Sequence, residues 1–305
     1  MATLERGDGR ATVMVEPELV IGRLQTCGLR LSAPYVSSVH ATLRWYDSRW
    51  EVKDLGSRNG TWLNGELLMP GQTYPLTQGA RLTFGHEQEI WRLSDDSAPR
   101  PMLMRVGDGA AVLLEQDVVG IPDDEDPEVM LLRDANGVWR AERIDGESIP
   151  LEHRGTFEAG GHRWRFAVPE SVGATSVLAS PEDLPSILLK FTVSHDEEHV
   201  ELRVESNGHT FELGARGHNY LLLTLARLRL DDVRRGTRSS ASGWTYVDDL
   251  EKLLKTKASR LNIDIFRIRQ QFSRLGLGNV LNIVERRHRA KQLRIGTDAI
   301  DIQML

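Results

Sequence analysis

The 305-residue chain has one cysteine, Cys27, which excludes an intrachain disulfide and a zinc site built on several thiolates. No apolar run approaches the roughly 18–20 residues that a membrane-crossing helix needs. The first residues are polar and charged, without the apolar stretch of a signal peptide. These absences predict a cytoplasmic protein with no membrane partner. A nucleophile paired with a base is also missing, as is a cluster of side chains at metal-ligand spacing. One literal match, His195-Asp196-Glu197-Glu198-His199, fits the H-x-x-E-H pattern of inverted zinc peptidases. That chemistry needs both histidines on one helix face, whereas these lie between two β-like runs and read as a polar turn. The expectation is a protein with no catalytic residues, no metal and no cofactor. The net charge of −6 gives no whole-chain sign of nucleic-acid binding, although an average can hide a basic module.

What is present begins with β-pattern. Ala11–Val15, Leu19–Ile21, Ala41–Trp45, Trp50–Val52 and Arg81–Phe84 are rich in β-formers and are punctuated by Gly, Asn, Asp and Pro, which predicts an all-β sandwich. Three short elements sit on the intervening turns: Gly22-Arg23, Ser37-Ser38-Val39-His40, and Asn59-Gly60-Thr61-Trp62-Leu63-Asn64-Gly65. They place an arginine, hydroxyls and a side-chain amide together on loops. A guanidinium is a planar fork of donors that suits phosphate oxygens, so Arg23 is the natural anchor for a phosphorylated side chain. Ser37 can add a hydroxyl donor, with Ser38 beside it. Asn59 carries a donor and an acceptor that can pair with the backbone of an extended peptide.

In order and spacing these elements resemble a forkhead-associated (FHA) domain, over nearly all of residues 9–93. The resemblance implies that Arg23, Ser37 and Asn59 bind a phosphopeptide, with a preference for phosphothreonine and a small pocket for its methyl group. Ser38 and Arg58 occupy positions where members of the family often touch ligand. His40 reads as scaffold that holds Ser37 in place, Gly22, Gly60 and Gly65 as sites of tight turns or close backbone approach, and Asn64 as a turn brace. Trp45, Trp50 and Trp62 read as core and shell aromatics.

Residues 105–168 echo this pattern. Gly7-Asp8-Gly9 before Ala11–Val20 is matched by Gly107-Asp108-Gly109 before Ala111–Val119, and Ile90-Trp91-Arg92-Leu93 by Arg163-Trp164-Arg165-Phe166. The segment reads as a degenerate copy of the same sandwich. Its phosphate equipment is missing: Gly120-Ile121 stands in place of Gly22-Arg23, and the acidic run Asp123–Asp126 follows, which would repel a phosphate. An unrelated small β-domain is the other reading of this segment.

A linker over 171–183 separates these modules from a third. Strand-like Ile187–Val193, His199–Glu205 and Thr210–Leu213 precede helical Tyr220–Leu230 and Val247–Leu254. Leu261, Ile265, Ile268, Phe272 and Leu275 then recur at helical spacing. Leu281–Val284 and Gln292–Ile295 suggest a closing hairpin. Sheet, three helices and hairpin, in that order, resemble the winged-helix effector domains of OmpR-type response regulators, over about 185–303. Between Lys252 and Arg294 basic residues far outnumber the acidic pair Asp264 and Glu285. Arg260, Arg267, Gln271 and Arg274 share a helical face that could read base edges in a major groove. Arg286, Arg287, Arg289 and Lys291 would lie at the tip of the wing, suited to phosphates. A basic face that binds protein instead remains open.

The sequence thus predicts a mostly β chain with a C-terminal α+β module: an FHA domain over 1–98, a degenerate FHA-like domain over 102–170, and a winged helix over 184–305. The expected function is non-enzymatic signalling downstream of a Ser/Thr protein kinase, through a phosphothreonine-containing partner protein. The output would be control of transcription on double-stranded DNA or, alternatively, adaptor binding of a second protein. The oligomeric state is not legible.

Overall fold

A computed structural model of the protein describes residues 1–134, 136–168, 187–206, 208–275 and 279–305. The linker expected over 171–183 lies outside the described residues. The fold is mostly β.

Eleven strands build the first module: β1 (Thr3–Arg6), β2 (Thr12–Met14), β3 (Glu18–Gly22), β4 (Leu29–Arg30), β5 (Ala41–Tyr46), β6 (Arg49–Asp54), β7 (Thr61–Leu63), β8 (Glu66–Leu67), β9 (Thr73–Leu76), β10 (Arg81–Phe84) and β11 (Ile90–Asp95). They form a sandwich of two sheets, ordered β2-β1-β11-β10-β7-β8 and β4-β3-β5-β6-β9. Turn chemistry sets the registers. Asp47 and Ser48 both take positive φ (48° and 61°) in the two-residue loop that pairs Tyr46 with Arg49. Asn64 and Gly65 (φ 53° and 92°) do the same between β7 and β8. Alternation along the strands sends Leu4, Ile21, Leu43, Trp50, Phe84 and Leu93 into one apolar core. Burying each such side chain contributes about 1.5–3 kcal/mol, and together they hold the loop ends that carry the site. Trp50 is fully buried, as expected, while Trp45 and Trp62 are half-buried.

Eight further strands follow: β12 (Met102–Arg105), β13 (Ala111–Leu113), β14 (Val118–Ile121), β15 (Val129–Arg133), β16 (Trp139–Arg143), β17 (Ser148–Pro150), β18 (Thr156–Ala159) and β19 (His162–Ala167). Their sheets are ordered β13-β12-β19-β18 and β14-β15-β16-β17. The first repeats the order β2-β1-β11-β10, and the second repeats β3-β5-β6-β9. The Gly-Asp-Gly turns agree in detail. Asp8 Oδ1 accepts from the Arg10 N–H and Asp108 Oδ1 from the Ala110 N–H, and Gly9 and Gly109 have φ of 70° and 73°.

The remaining elements are β20 (Leu188–Val193), β21 (Val200–Ser206), β22 (His209–Ala215), α1 (Asn219–Arg234), β23 (Thr245–Tyr246), α2 (Val247–Leu254), α3 (Ala258–Ser273), β24 (Val284–Arg287), β25 (Gln292–Ile295) and β26 (Ile300–Met304). The His195–His199 stretch is the turn between β20 and β21, where Glu197 is held by Arg227. The apolar run Leu281–Ile283 is a 3-10 turn, not the first strand of the hairpin; that strand begins at Val284 and carries Arg286 and Arg287. The last strand, β26, was not expected. It adds to the sheet β22-β21-β20-β26 by pairing parallel to β20.

The chain divides into two compact units that interleave along the sequence. The first contains Met1–Glu115 and the described residues from Glu152 onward to 168; the second contains Gln116–Leu151 and the described residues from 187 on. Strands β14–β17 therefore belong with the C-terminal elements.

Candidate functional site

At one end of the first sandwich, three loops meet: the one after β3, the one before β5, and the one between β6 and β7. Arg23, Tyr35–Val39, Gly56, Arg58 and Asn59 line a shallow polar cavity there. The loop before β5 supplies carbonyls that fix its neighbours. Arg23 Nε donates to Val36 O at 3.3 Å, and the Arg23 N–H donates to Ser37 O at 3.0 Å. Asn59 Nδ2 donates to Tyr35 O at 2.8 Å. These contacts hold Arg23 by its backbone N–H and its Nε, and the residue is exposed.

Ser37 is set by hydrogen-bond count. Its Oγ accepts the Arg58 N–H at 3.0 Å. A hydroxyl has one donor and two acceptor positions, so its proton remains to be given to an incoming oxygen. Asn59 bridges two of the loops. One of its two Nδ2 hydrogens goes to Tyr35 O, which leaves a second N–H and Oδ1 for the backbone of a peptide. Ser38 and Arg58 are exposed at the rim.

The scaffold beneath is buried. His40, with no exposed surface, accepts the Ser37 N–H on Nδ1 at 3.1 Å and places Nε2 3.0 Å from Gly60 O. This arrangement requires a neutral ring with its proton on Nε2. Burial pushes the His40 pKa below its usual value, against the opposing pull of the Gly60 carbonyl and the Asp54 charge. Asp54 is a second scaffold residue, unremarked in the sequence. Its Oδ1 accepts the Gly56 and Ser57 N–H groups, and its Oδ2 accepts the Ser57 and Thr61 hydroxyls, both at 2.6 Å. Burial would raise its pKa, but these four hydrogen bonds outweigh that and hold the carboxyl below the usual range. The Asp-x-x-Ser spacing was the available signal. Asn64 Oδ1 accepts the Arg81 N–H at 2.9 Å, which ties its turn to the start of β10. Gly22 has no side chain because one would collide; a Cβ there would lie 2.5 Å from Ser38 O.

The C-terminal candidates are not gathered on one free surface. Arg260 pairs with Asp264 at 3.4 Å. Arg267 donates to Glu125 O at 3.0 Å, and Gln271 is engaged by Leu213 O and His218. Arg274 is exposed, and Arg289 and Lys291 lie in the turn between β24 and β25. Arg287 stacks 3.9 Å over the Trp244 ring. Arg286 is not at the tip: it is buried, binding Glu142 at 2.9 Å and Asn262. Glu142 also meets Arg269 at 3.3 Å, a cluster that the sequence did not reveal. Phe266, on the same side of α3, packs among Val118, Met130 and Leu132 of β14 and β15.

Comparison with known proteins places a family match on the segment that carries these loops. The FHA domain model matches residues 19–85. The FHA domain-containing protein FhaA of Mycobacterium tuberculosis is 34% identical over 90 residues, which are 30% of this chain and 16% of FhaA. FhaB of the same species is 34% identical over 74 residues, 24% of this chain and 48% of FhaB. The chain thus spans less than half the length of either relative. Among solved structures, one from a structural and functional analysis of phosphothreonine-dependent FHA domain interactions is 28% identical. That match covers 32% of this chain and 98% of the other, with a TM-score of 0.28. With the loop geometry above, the matched segment is identified: residues 19–85 are an FHA domain.

Proposed function

We propose that this is a non-enzymatic, cytoplasmic signalling protein whose FHA domain binds phosphothreonine peptides of a partner modified by a Ser/Thr protein kinase. The observation that carries the reading is that Arg23, Ser37 and Asn59 line one exposed cavity, with the Arg23 guanidinium, the Ser37 hydroxyl and the Asn59 amide each retaining hydrogen-bonding capacity. The first two suit a phosphate, and the third suits the backbone beside it. Arg23→Ala removes the only charged group in that set. It should weaken binding of a phosphothreonine peptide by about 10–100-fold, the effect of losing a hydrogen-bonded charge worth roughly 1.5–3 kcal/mol. Fluorescence anisotropy with phosphothreonine, phosphoserine and unmodified versions of one peptide measures this. Equal binding of all three would sink the assignment.

The middle strands read as a second FHA-like copy without phosphate equipment. The recurring strand order supports this, as does Gly120, where a Cβ would meet Asp123 O at 2.6 Å much as one at Gly22 would meet Ser38 O. The C-terminal elements read as a winged helix with an added strand. For the output, the adaptor reading has the better support. Phe266, Arg269 and Asn262 of α3 are buried against β14–β16 and the residue after it, so that side of the helix is not available to a major groove. On the basic side, Arg260, Arg267 and Gln271 already have protein partners. Titrating the full chain with duplex DNA at several salt concentrations separates the two. Saturable binding that weakens steeply with salt would restore the transcriptional reading.

A further inference from the structure

Arg30 has no part in the phosphopeptide reading above, yet it stands beside the residue that anchors it. Strand β4 runs parallel to β3, and the pairing sets Arg30 opposite Gly22, the residue before Arg23. Arg30 Nε donates to Arg23 O at 3.4 Å, so the two arginines are tethered to one another at the end of these strands. A third, Arg58, lines the same cavity as Arg23 from the loop between β6 and β7. All three are exposed.

The protein leaves their charges uncompensated. The side chains of Arg23 and Arg30 donate only through Nε, and only to the backbone oxygens of Val36 and Arg23. Among the described residues, no carboxylate pairs with Arg23, Arg30 or Arg58. The carboxylates carried by the same strands are engaged elsewhere: Glu18 of β3 with Arg154, Glu51 of β6 with Arg44 and Arg49, and Asp54 with the donors of its own loop. Holding like charges together costs free energy. No packing demands it at an exposed position of a two-residue edge strand.

A charge count then narrows the ligand. A phosphothreonine side chain carries about −1.5 to −2 at neutral pH. Arg23 and Arg58, which both line the cavity, match that charge. Arg30 is left over, one strand further out, with two terminal nitrogens that have no partner among the described residues. Its planar fork fits a carboxylate or a phosphate.

We propose that Arg30 binds a second anionic group of the same partner, a carboxylate or a phosphorylated side chain close in sequence to the phosphothreonine. The inference rests on the phosphothreonine reading of the cavity and adds the partner's chemistry: a phosphothreonine within an acidic segment. Because Arg30 is exposed, the contact acts on the choice between partners more than on total affinity.

Fluorescence anisotropy with the full chain tests it. The peptides carry phosphothreonine and one further Glu or phosphoserine, moved through successive positions on either side, with Gln or Ser there as the neutral reference. At one or more positions the acidic peptide should bind about three- to fivefold more tightly than its reference, the range of an exposed ion pair. That advantage should shrink as salt rises from about 0.05 to 0.5 M. A larger advantage for phosphoserine than for Glu would identify phosphate as the preferred group, and the reverse would identify carboxylate. In Arg30→Gln the ratio of neutral to acidic dissociation constants should fall to about one. Arg30→Lys, which keeps the charge without the fork, should retain part of it. Arg81→Gln removes the same charge at the start of β10 and should leave the ratio as it was. Phosphothreonine-dependent binding with no acidic preference at any position would overturn the inference and leave the FHA reading intact. A preference that survives Arg30→Gln, or that Arg81→Gln abolishes equally, would also overturn it. Equal binding of phosphorylated and unmodified peptides would sink both.

Discussion

Single residues in the FHA loops divide into those that face outward and those that hold them there, and the second group controls the first. His40 is the clearest case because its hydrogen bonds require one protonation state. Burial lowers its pKa in the folded protein, so the folded state binds fewer protons than the unfolded chain. Its contribution to stability is complete above the ordinary histidine value of about 6.5 and is lost as pH falls from there toward the lowered folded value. Thermal unfolding of the 1–98 segment without peptide should therefore show stability dropping as pH falls below about 6.5, and His40→Asn should flatten that drop. A parallel decline in the variant would mean that another group is responsible. Gly22 is controlled by space instead. A methyl group at Gly22→Ala would sit 2.5 Å from Ser38 O and 3.0 Å from Cys27 Sγ, forcing apart the backbone that aims Arg23. We expect a loss of about 1–3 kcal/mol in chemical denaturation together with weakened phosphopeptide binding. At this scale the sequence was most legible where a side chain acts for itself, as with Arg23, Ser37 and Gly22. It was silent where the partner is a backbone carbonyl, because Tyr35 O and Val36 O leave no trace in residue type.

Elements were legible when one face decided them. The stripe Leu261, Ile265, Ile268 and Phe272 predicts α3, and all four are buried in the core of the C-terminal elements. The opposite side of the same helix misleads. Asn262, Phe266 and Arg269 mix polar and apolar residues with no pattern to mark a packed face, yet they face β14–β16 and the residue after it. The shift of the hairpin has the same origin: Leu281 and Ile283 are apolar because they pack, not because they pair in a strand. The polar residues under α3 form a cluster of Glu142 with Arg269 and Arg286, all with side chains at most 9% exposed. Removing the carboxylate by Glu142→Ala would leave two buried guanidinium groups without their counter-charge. Breaking a buried pair in this way costs about 3–5 kcal/mol, so urea denaturation of the full chain should show the second unit strongly destabilised. Phosphopeptide affinity should not change, since Glu142 belongs to the other unit. A variant as stable as the parent would show that the cluster contributes nothing net.

For the molecule as a whole, the order of the chain and the grouping of its parts differ. Read in sequence, 102–170 looks like one module and 184–305 another, because local pattern carries no information about which distant segments share a core. The two compact units instead draw β14–β17 together with the C-terminal elements, while β12, β13, β18 and β19 belong with the FHA strands. The consequence concerns truncation. The 1–98 segment carries both sheets of the FHA sandwich and its core, and it should fold and bind phosphothreonine peptide with full-chain affinity. A 184–305 fragment should fare worse. It lacks Val118, Met130 and Leu132, which cover Phe266, and it lacks Glu142, which neutralises Arg269 and Arg286. Exposing one large aromatic costs roughly 1.5–3 kcal/mol and stripping the counter-charge about 3–5 kcal/mol. Their sum is comparable to the 5–15 kcal/mol that holds a typical domain together. Hydrogen exchange should accordingly find the amides of α3 protected in the full chain and exchanging at least tenfold faster in the fragment. Equal protection in both would mean that the C-terminal elements form a self-sufficient domain.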